Sequence, residues 1–260
     1  MIHEDTLLEQ THQTFTRLQQ DCPIPDASYT VYNEPNISTG SLAYTTTWFF
    51  PGDPYYPAIQ EPSYVGHDFE IAVNPHIPWW IGSCELKPNG AYDLQTVLLH
   101  EILHGVGILS TIGPDKSTFP ATYDTTLRDN SNQHVVQGSL YTGSFGQSLH
   151  INHVDIYNPA TYAPGSSFSH YTHNGVMQPW QDASTCIRHI DNDVKKLLRA
   201  IGYPCAVPTT NNNAGGSSFA IVGIIIGAII VLGLVAACFL QPNKTKGRRK
   251  RPIKEPLLVT

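Results

Sequence analysis

Residues 93–110 read DLQTVLLHEILHGVGILS, and this stretch decides the fold of the chain. Its apolar residues are dense enough to predict a buried helix over residues 94–108, packed under a sheet. Asp93 is a helix-capping residue type at the predicted start, and Gly105 and Gly107 lie near the predicted end. We therefore expect a central helix that holds its few polar side chains in fixed positions.

The polar residues of this helix form the motif HEILH at positions 100–104. Helix residues four apart lie on one face, so His100 and His104 point the same way and can hold a zinc ion at about 2.0–2.1 Å. Glu101 then lies beside the metal as the general base that takes a proton from the attacking water. A surface helix with two incidental histidines is the alternative, and the apolar context disfavours it.

A catalytic zinc site has three protein ligands and one open position, so a third ligand is needed. The metzincin pattern HExxHxxGxxH supplies it from its last position. Here Gly107 occupies the glycine position, but the last position is Ser110, and a neutral serine is a poor zinc ligand. We expect the third ligand to come from elsewhere in the chain.

Residues 156–179 read IYNPATYAPGSSFSHYTHNGVMQP. Together with HExxHxxG, this stretch resembles metzincin-type zinc metalloproteases with the leishmanolysin-like arrangement, in which a long insert precedes a GSSxSH motif and a methionine turn. The resemblance implies that His170 is the third metal ligand and that Met177 is the Met-turn residue beneath the zinc. His173 is the rival ligand, and Tyr123-Asp124 resembles part of the insert.

The resemblance covers roughly residues 40–203 and implies an α+β fold, a zincin/metzincin-like catalytic domain with a twisted mixed sheet over the active-site helix. It also implies a zinc endopeptidase acting on a protein or peptide substrate. A catalytically inactive metzincin fold that serves as a binding or adhesion protein is the alternative. Periodicity adds further elements: helices over 6–21 and 192–201, and strands over 29–32 and 69–73.

Residues 219–240 form an apolar run of twenty-two residues without a charge. A helix of that length covers roughly 33 Å, enough for a bilayer core of about 30 Å. The run predicts one C-terminal transmembrane helix in contact with the lipid bilayer. The basic residues that follow it predict a cytosolic tail and a non-cytosolic N-terminal domain, as in a single-pass membrane protein.

The predicted organisation therefore has five parts. They are an N-terminal helical segment (1–28), the metzincin-like protease domain (29–205), a flexible stalk (206–218), the transmembrane helix (219–240) and the basic tail (241–260). The last twenty residues carry seven Lys and Arg against one Glu, whereas the rest carries eight against twenty acidic residues. An acidic body repels phosphate backbones, so we expect no nucleic-acid binding.

The chain has five cysteines, of which Cys238 lies inside the apolar run. The other four, Cys22, Cys84, Cys186 and Cys205, predict two disulfides with three possible connectivities. A disulfide from Cys22 to Cys205 is the default expectation. The alternative for Cys22, in the sequence CPIPD, is a latency switch in which its thiolate occupies the open zinc position.

Overall fold

The structure is a computed structural model, and it describes residues 2–38, 40–47, 68–118 and 120–206. Four α-helices lie in these ranges, α1 (Glu4–Asp21), α2 (Leu94–Gly105), α3 (Thr122–Thr126) and α4 (Asn192–Ala200), together with a short 3-10 helix (Cys84–Leu86). The strands there are β1 (Tyr29–Asn33), β2 (Ala43–Thr47), β3 (Phe69–Val73), β4 (Trp79–Trp80), β5 (Tyr92–Asp93), β6 (Arg128–Asp129), β7 (Val136–Gln137), β8 (Leu140–Tyr141), β9 (Leu149–Ile151) and β10 (Val154–Ile156).

Helix α2 is the centre of the fold, and all of its residues are buried. It begins as predicted, because the Asp93 side chain accepts a hydrogen bond from the Thr96 N–H at 2.9 Å. It ends three residues earlier than predicted. Gly107 adopts a φ of 112°, and its N–H and that of Ile108 turn back to the helix carbonyls of His104 and Leu103. This arrangement is a Schellman motif, which needs a left-handed residue after the helix and therefore favours glycine.

The first small sheet has the order β1-β3-β2, with β1 parallel and β2 antiparallel to β3. Helix α2 packs against β2 and β3, and α1 packs against α2 and β1. The two predicted strands coincide with β1 and β3. Strand β2 was not predicted, because its sequence AYTTT has no alternation of apolar and polar residues.

A second small sheet follows α2 in the chain and precedes the segment that contains His170. Strand β9 pairs antiparallel with both β6 and β10, and α4 packs against β9 and β10. Beyond β10, the Tyr157 N–H donates to the His170 carbonyl, and Ile156 forms an isolated bridge with Tyr171. This pairing ties the segment that contains His170 to the second sheet.

Two disulfides, Cys22–Cys205 and Cys84–Cys186, join distant parts of the chain. Both predictions are confirmed: the cysteines form two bridges, and Cys22 pairs with Cys205. The Cys22 sulfur is consequently not the free thiolate that a latency switch requires. Disulfides are typical of proteins that fold in oxidising compartments outside the cytosol.

The predicted transmembrane helix is not supported. The run over residues 219–240 lies outside the described residues, as do the basic tail and nearly all of the stalk. Within the described ranges, no helix has both the length and the apolar character to cross a membrane. The longest of them, α1, has 18 residues and carries charged side chains such as Glu4 and Asp5. The fold-class prediction is therefore wrong in this part, and so is the single-pass localisation that depended on it; the structure is α+β with small sheets.

Gly105 provides a test of the close packing between α2 and β3. A Cβ atom at this position would lie 2.6 Å from the Phe69 ring. Because overpacking forces the helix and sheet apart, we expect Gly105→Ala to lower the free energy of unfolding by about 1–3 kcal/mol. Urea denaturation measures the change. Gly40→Ala is the control, since a Cβ there meets nothing within 4 Å; equal effects of the two substitutions would contradict the packing argument.

Candidate metal centre

Three histidines meet in the interior of the protein. His100 and His104 come from α2, and His170 comes from the segment after β10; all three are buried. The Nε2 atom of His100 lies 3.1 Å from that of His104 and 3.2 Å from that of His170. Their ligand atoms all lie within 4.8 Å of one another, so this group could hold a metal ion.

The other ring nitrogen of each histidine faces a backbone carbonyl. The Nδ1 atoms of His100, His104 and His170 lie 2.6, 2.7 and 2.8 Å from the carbonyl oxygens of Val176, Ile108 and Ser166, respectively. A carbonyl oxygen only accepts, so each Nδ1 must carry the proton. Each Nε2 is therefore left with a lone pair directed at the other two, the tautomer of a metal-binding imidazole.

The protonation of the three rings agrees with this assignment. Burial lowers the pKa of His100 to about 4 and that of His170 to about 3. Burial also holds the pKa of His104 well below its usual value, and the neighbouring His100 and His170 lower it further. The rings are therefore neutral near pH 7, as metal ligation requires.

Three lone pairs at this separation repel one another unless a cation lies among them. Tetrahedral zinc with nitrogen ligands at about 2.0–2.1 Å sets neighbouring nitrogens about 3.3 Å apart. The two Nε2 separations from His100, 3.1 and 3.2 Å, are close to that value. The donor set therefore fits a metal ion in size, charge and ligand type.

The turn after α2 helps to orient this group. The Schellman motif at Gly107 reverses the chain so that the Ile108 carbonyl reaches the His104 ring. Ser110 occupies the last position of the metzincin pattern, and it is not one of the three clustered ligands. Its backbone N–H instead donates to the Ser169 hydroxyl at 3.0 Å.

His170, and not His173, completes the group with the helix histidines. The His173 Nε2 lies 3.2 Å from an Asp193 carboxylate oxygen, and its ring stacks on Tyr171. Its side chain is 40% exposed, in contrast to the fully buried His170.

Met177 is buried in the turn that contacts His100. Its N–H donates to the Tyr171 hydroxyl at 3.0 Å, and its carbonyl accepts from the Tyr171 N–H at 3.1 Å. The preceding residue, Val176, supplies the carbonyl that orients His100. The backbone of the predicted Met-turn thus has a direct contact with one of the three clustered histidines, while a role for the Met177 side chain stays a prediction.

Glu101 lies fully buried beside the histidines in the chain. Its Oε2 atom is 2.7 Å from the Thr45 hydroxyl of β2, and its Oε1 atom has no hydrogen-bond partner among the described residues. Burial raises the pKa of Glu101 to about 8, and the Thr45 hydrogen bond acts in the opposite direction. Thr45 is a functional candidate that the sequence did not reveal, because nothing distinguishes it from Thr46 and Thr47.

Comparison with protein-family models, with curated proteins and with solved structures found no match for this chain. The resemblance to leishmanolysin-like metzincins therefore rests on the motifs quoted above, and it stays a prediction.

Substitution of the two rival histidines tests the composition of the group. We expect the full-length chain to bind one metal ion, and His170→Ala to lose most of the bound metal after dialysis because only two nitrogen ligands remain. His173→Ala should retain it. Plasma mass spectrometry of the dialysed proteins measures the metal-to-protein ratio. Loss of metal through His173→Ala, with retention in His170→Ala, would contradict the assignment.

Proposed function

We propose that this protein is a zinc-dependent endopeptidase of the metzincin type, with His100, His104 and His170 as zinc ligands and Glu101 as general base. The observation that carries the proposal is the convergence of three unprotonated Nε2 atoms; Glu101, which follows His100 in the chain, is buried and has one oxygen without a hydrogen-bond partner among the described residues. Three imidazole ligands with an open fourth position are typical of catalytic zinc. The motif resemblance supports the same class.

Zinc supplies Lewis-acid chemistry in such a site: it polarises a carbonyl group and favours the deprotonation of water. The protein supplies the proton transfer. The positive charge of a bound metal ion would oppose the raised pKa of Glu101 and favour its ionised form, in which Oε1 could receive the proton of the attacking water and return it to the leaving amine. The Thr45 hydroxyl lies 2.7 Å from Oε2 and 2.9 Å from the Glu101 carbonyl oxygen, so it restrains this side of the residue, while Oε1 has no hydrogen-bond partner among the described residues.

The unpaired oxygen of Glu101 supports a hydrolase over an inert scaffold because of its place in the HEILH motif. A buried carboxylate oxygen without a partner costs free energy, and in a hydrolase that oxygen gains a partner when water and substrate are bound. A binding or adhesion protein does not require a glutamate at this position of the motif. The proposed substrate is a protein or peptide.

A glutamate substitution tests the reaction. We expect Glu101→Gln to reduce hydrolysis of casein or a peptide library by about 10²–10⁴-fold, the usual contribution of general acid–base catalysis, with zinc content unchanged. The assay uses the full-length zinc-loaded protein. Glu9→Gln, at an exposed position on α1, is the matched control and should keep full activity.

Two outcomes would contradict the proposed function. If the zinc-loaded wild type cleaves no substrate in either assay, the binding-protein alternative is favoured. If the wild type and Glu101→Gln are equally active, the protein is a hydrolase whose general base is a different residue.

A further inference from the structure

The segment after α2 is held by a buried carboxylate that the proposed chemistry does not use. Asp124 lies in α3 and is fully buried. Its Oδ2 atom accepts from the Thr111 N–H at 3.1 Å, from the Thr111 hydroxyl at 2.9 Å and from the Ala121 N–H at 3.2 Å. Burial raises the pKa of Asp124, and hydrogen bonds from Ser110, Thr111 and Ala121 oppose that rise.

The segment that Asp124 holds contacts both sources of metal ligands. On one side, the Ile108 carbonyl accepts from Nδ1 of His104 at 2.7 Å. On the other side, the Ser110 N–H donates to the hydroxyl of Ser169, the residue directly before His170. Residues 108–111 therefore form a short bridge between the helix ligands and the distant third ligand.

We propose that Asp124 is a positioning residue for the metal centre. By fixing residues 108–111, it sets the orientation of the His104 ring and the distance at which the Ser169-His170 segment approaches α2. Position 110 supplies a ligand in the HExxHxxGxxH pattern. Here the Ser110 N–H instead donates the hydrogen bond to Ser169, and this bond is the tether that holds the ligand His170. The inference rests on the proposed metal centre but not on proteolysis.

The physical need for such a tether follows from the chain. His170 is 70 residues from His100, so the third ligand is not placed by any local geometry of α2. A metal site that is ordered before binding loses less free energy to the ordering of its ligands than a loose site. The hydrogen bond from the Ser110 N–H to the Ser169 hydroxyl directly connects the segment after α2 with the segment that contains His170. Asp124 fixes the donor of this bond through its own hydrogen bonds to the neighbouring Thr111.

The geometry predicts different effects for two substitutions of Asp124. Its Oδ1 atom has no hydrogen-bond partner among the described residues, and the acceptor contacts to Thr111 and Ala121 use Oδ2. Asn can place its amide oxygen at the Oδ2 position and keep these contacts. Ala removes the acceptor altogether, so residues 108–111 lose their anchor.

The test measures zinc affinity of the full-length chain by competition with a chelating dye, and the visible spectrum of the Co²⁺-loaded protein. We expect Asp124→Ala to weaken zinc binding by about 10-fold, the lower end of the loss that follows removal of a direct hydrogen-bond partner of a ligand, because Asp124 acts through residues 108–111, and to change the Co²⁺ bands. Asp124→Asn should restore most of the affinity and the wild-type spectrum.

The control is Asp93→Ala. Asp93 is also buried and also holds a backbone N–H and a threonine hydroxyl, those of Thr96; it pairs with Arg188 in addition, and it lies at the start of α2 away from the ligands. This substitution should lower the stability of the metal-free protein and leave the zinc dissociation constant and the Co²⁺ spectrum unchanged.

The inference is overturned if Asp124→Ala lowers stability as Asp93→Ala does while the zinc affinity and the Co²⁺ spectrum stay those of the wild type. Should Asp124→Ala fail to fold, Ser169→Ala, which removes the acceptor of the tether, takes its place. Weaker zinc binding by that variant supports the inference, and unchanged binding overturns it. Absence of zinc binding by the wild type would instead refute the metal centre itself.

Discussion

The arrangement of this protein depends on one electrostatic constraint: three imidazole lone pairs meet in the interior with no proton between them. The Nε2 atoms are only 3.1–3.2 Å from that of His100, and burial keeps the rings neutral. Each ring is held in its tautomer by a backbone carbonyl, and each of those carbonyls belongs to a turn. The turns at residues 108, 166 and 176 therefore orient the three clustered histidines that could hold a metal ion, although none of these turns provides a ring nitrogen.

The fold brings the three rings together because helix α2 is buried and the remote segment that contains His170 lies close to it. Helix α2 is enclosed by α1 and the first sheet, which leaves little freedom for its side chains. The second sheet pairs with the segment that contains His170. The Cys22–Cys205 bridge joins the end of α1 to the region after α4, and a cross-link between positions so far apart restricts the unfolded chain strongly.

Elements with strong periodicity were predictable from the sequence, and those that depend on tertiary contacts were not. Helix α2 and its Asp93 cap follow from local pattern, and the alignment of His100 with His104 follows from helix geometry. His170 was reached only through a motif resemblance, because no spacing rule relates it to α2. Thr45 carried no local signal, and Asp124 was only part of a resemblance that implied no role for it, since their roles come from contacts with residues 56 and 13 positions away. The transmembrane prediction rested on hydropathy alone.

The most direct test of a three-histidine zinc site is X-ray absorption at the zinc K-edge of the zinc-loaded, full-length protein. We expect a four-coordinate site with three imidazole nitrogens at about 2.0–2.1 Å and one oxygen ligand. A sulfur shell at about 2.3 Å, or a site with fewer than three imidazoles, would contradict it, because the converging nitrogens would then not be what holds the metal.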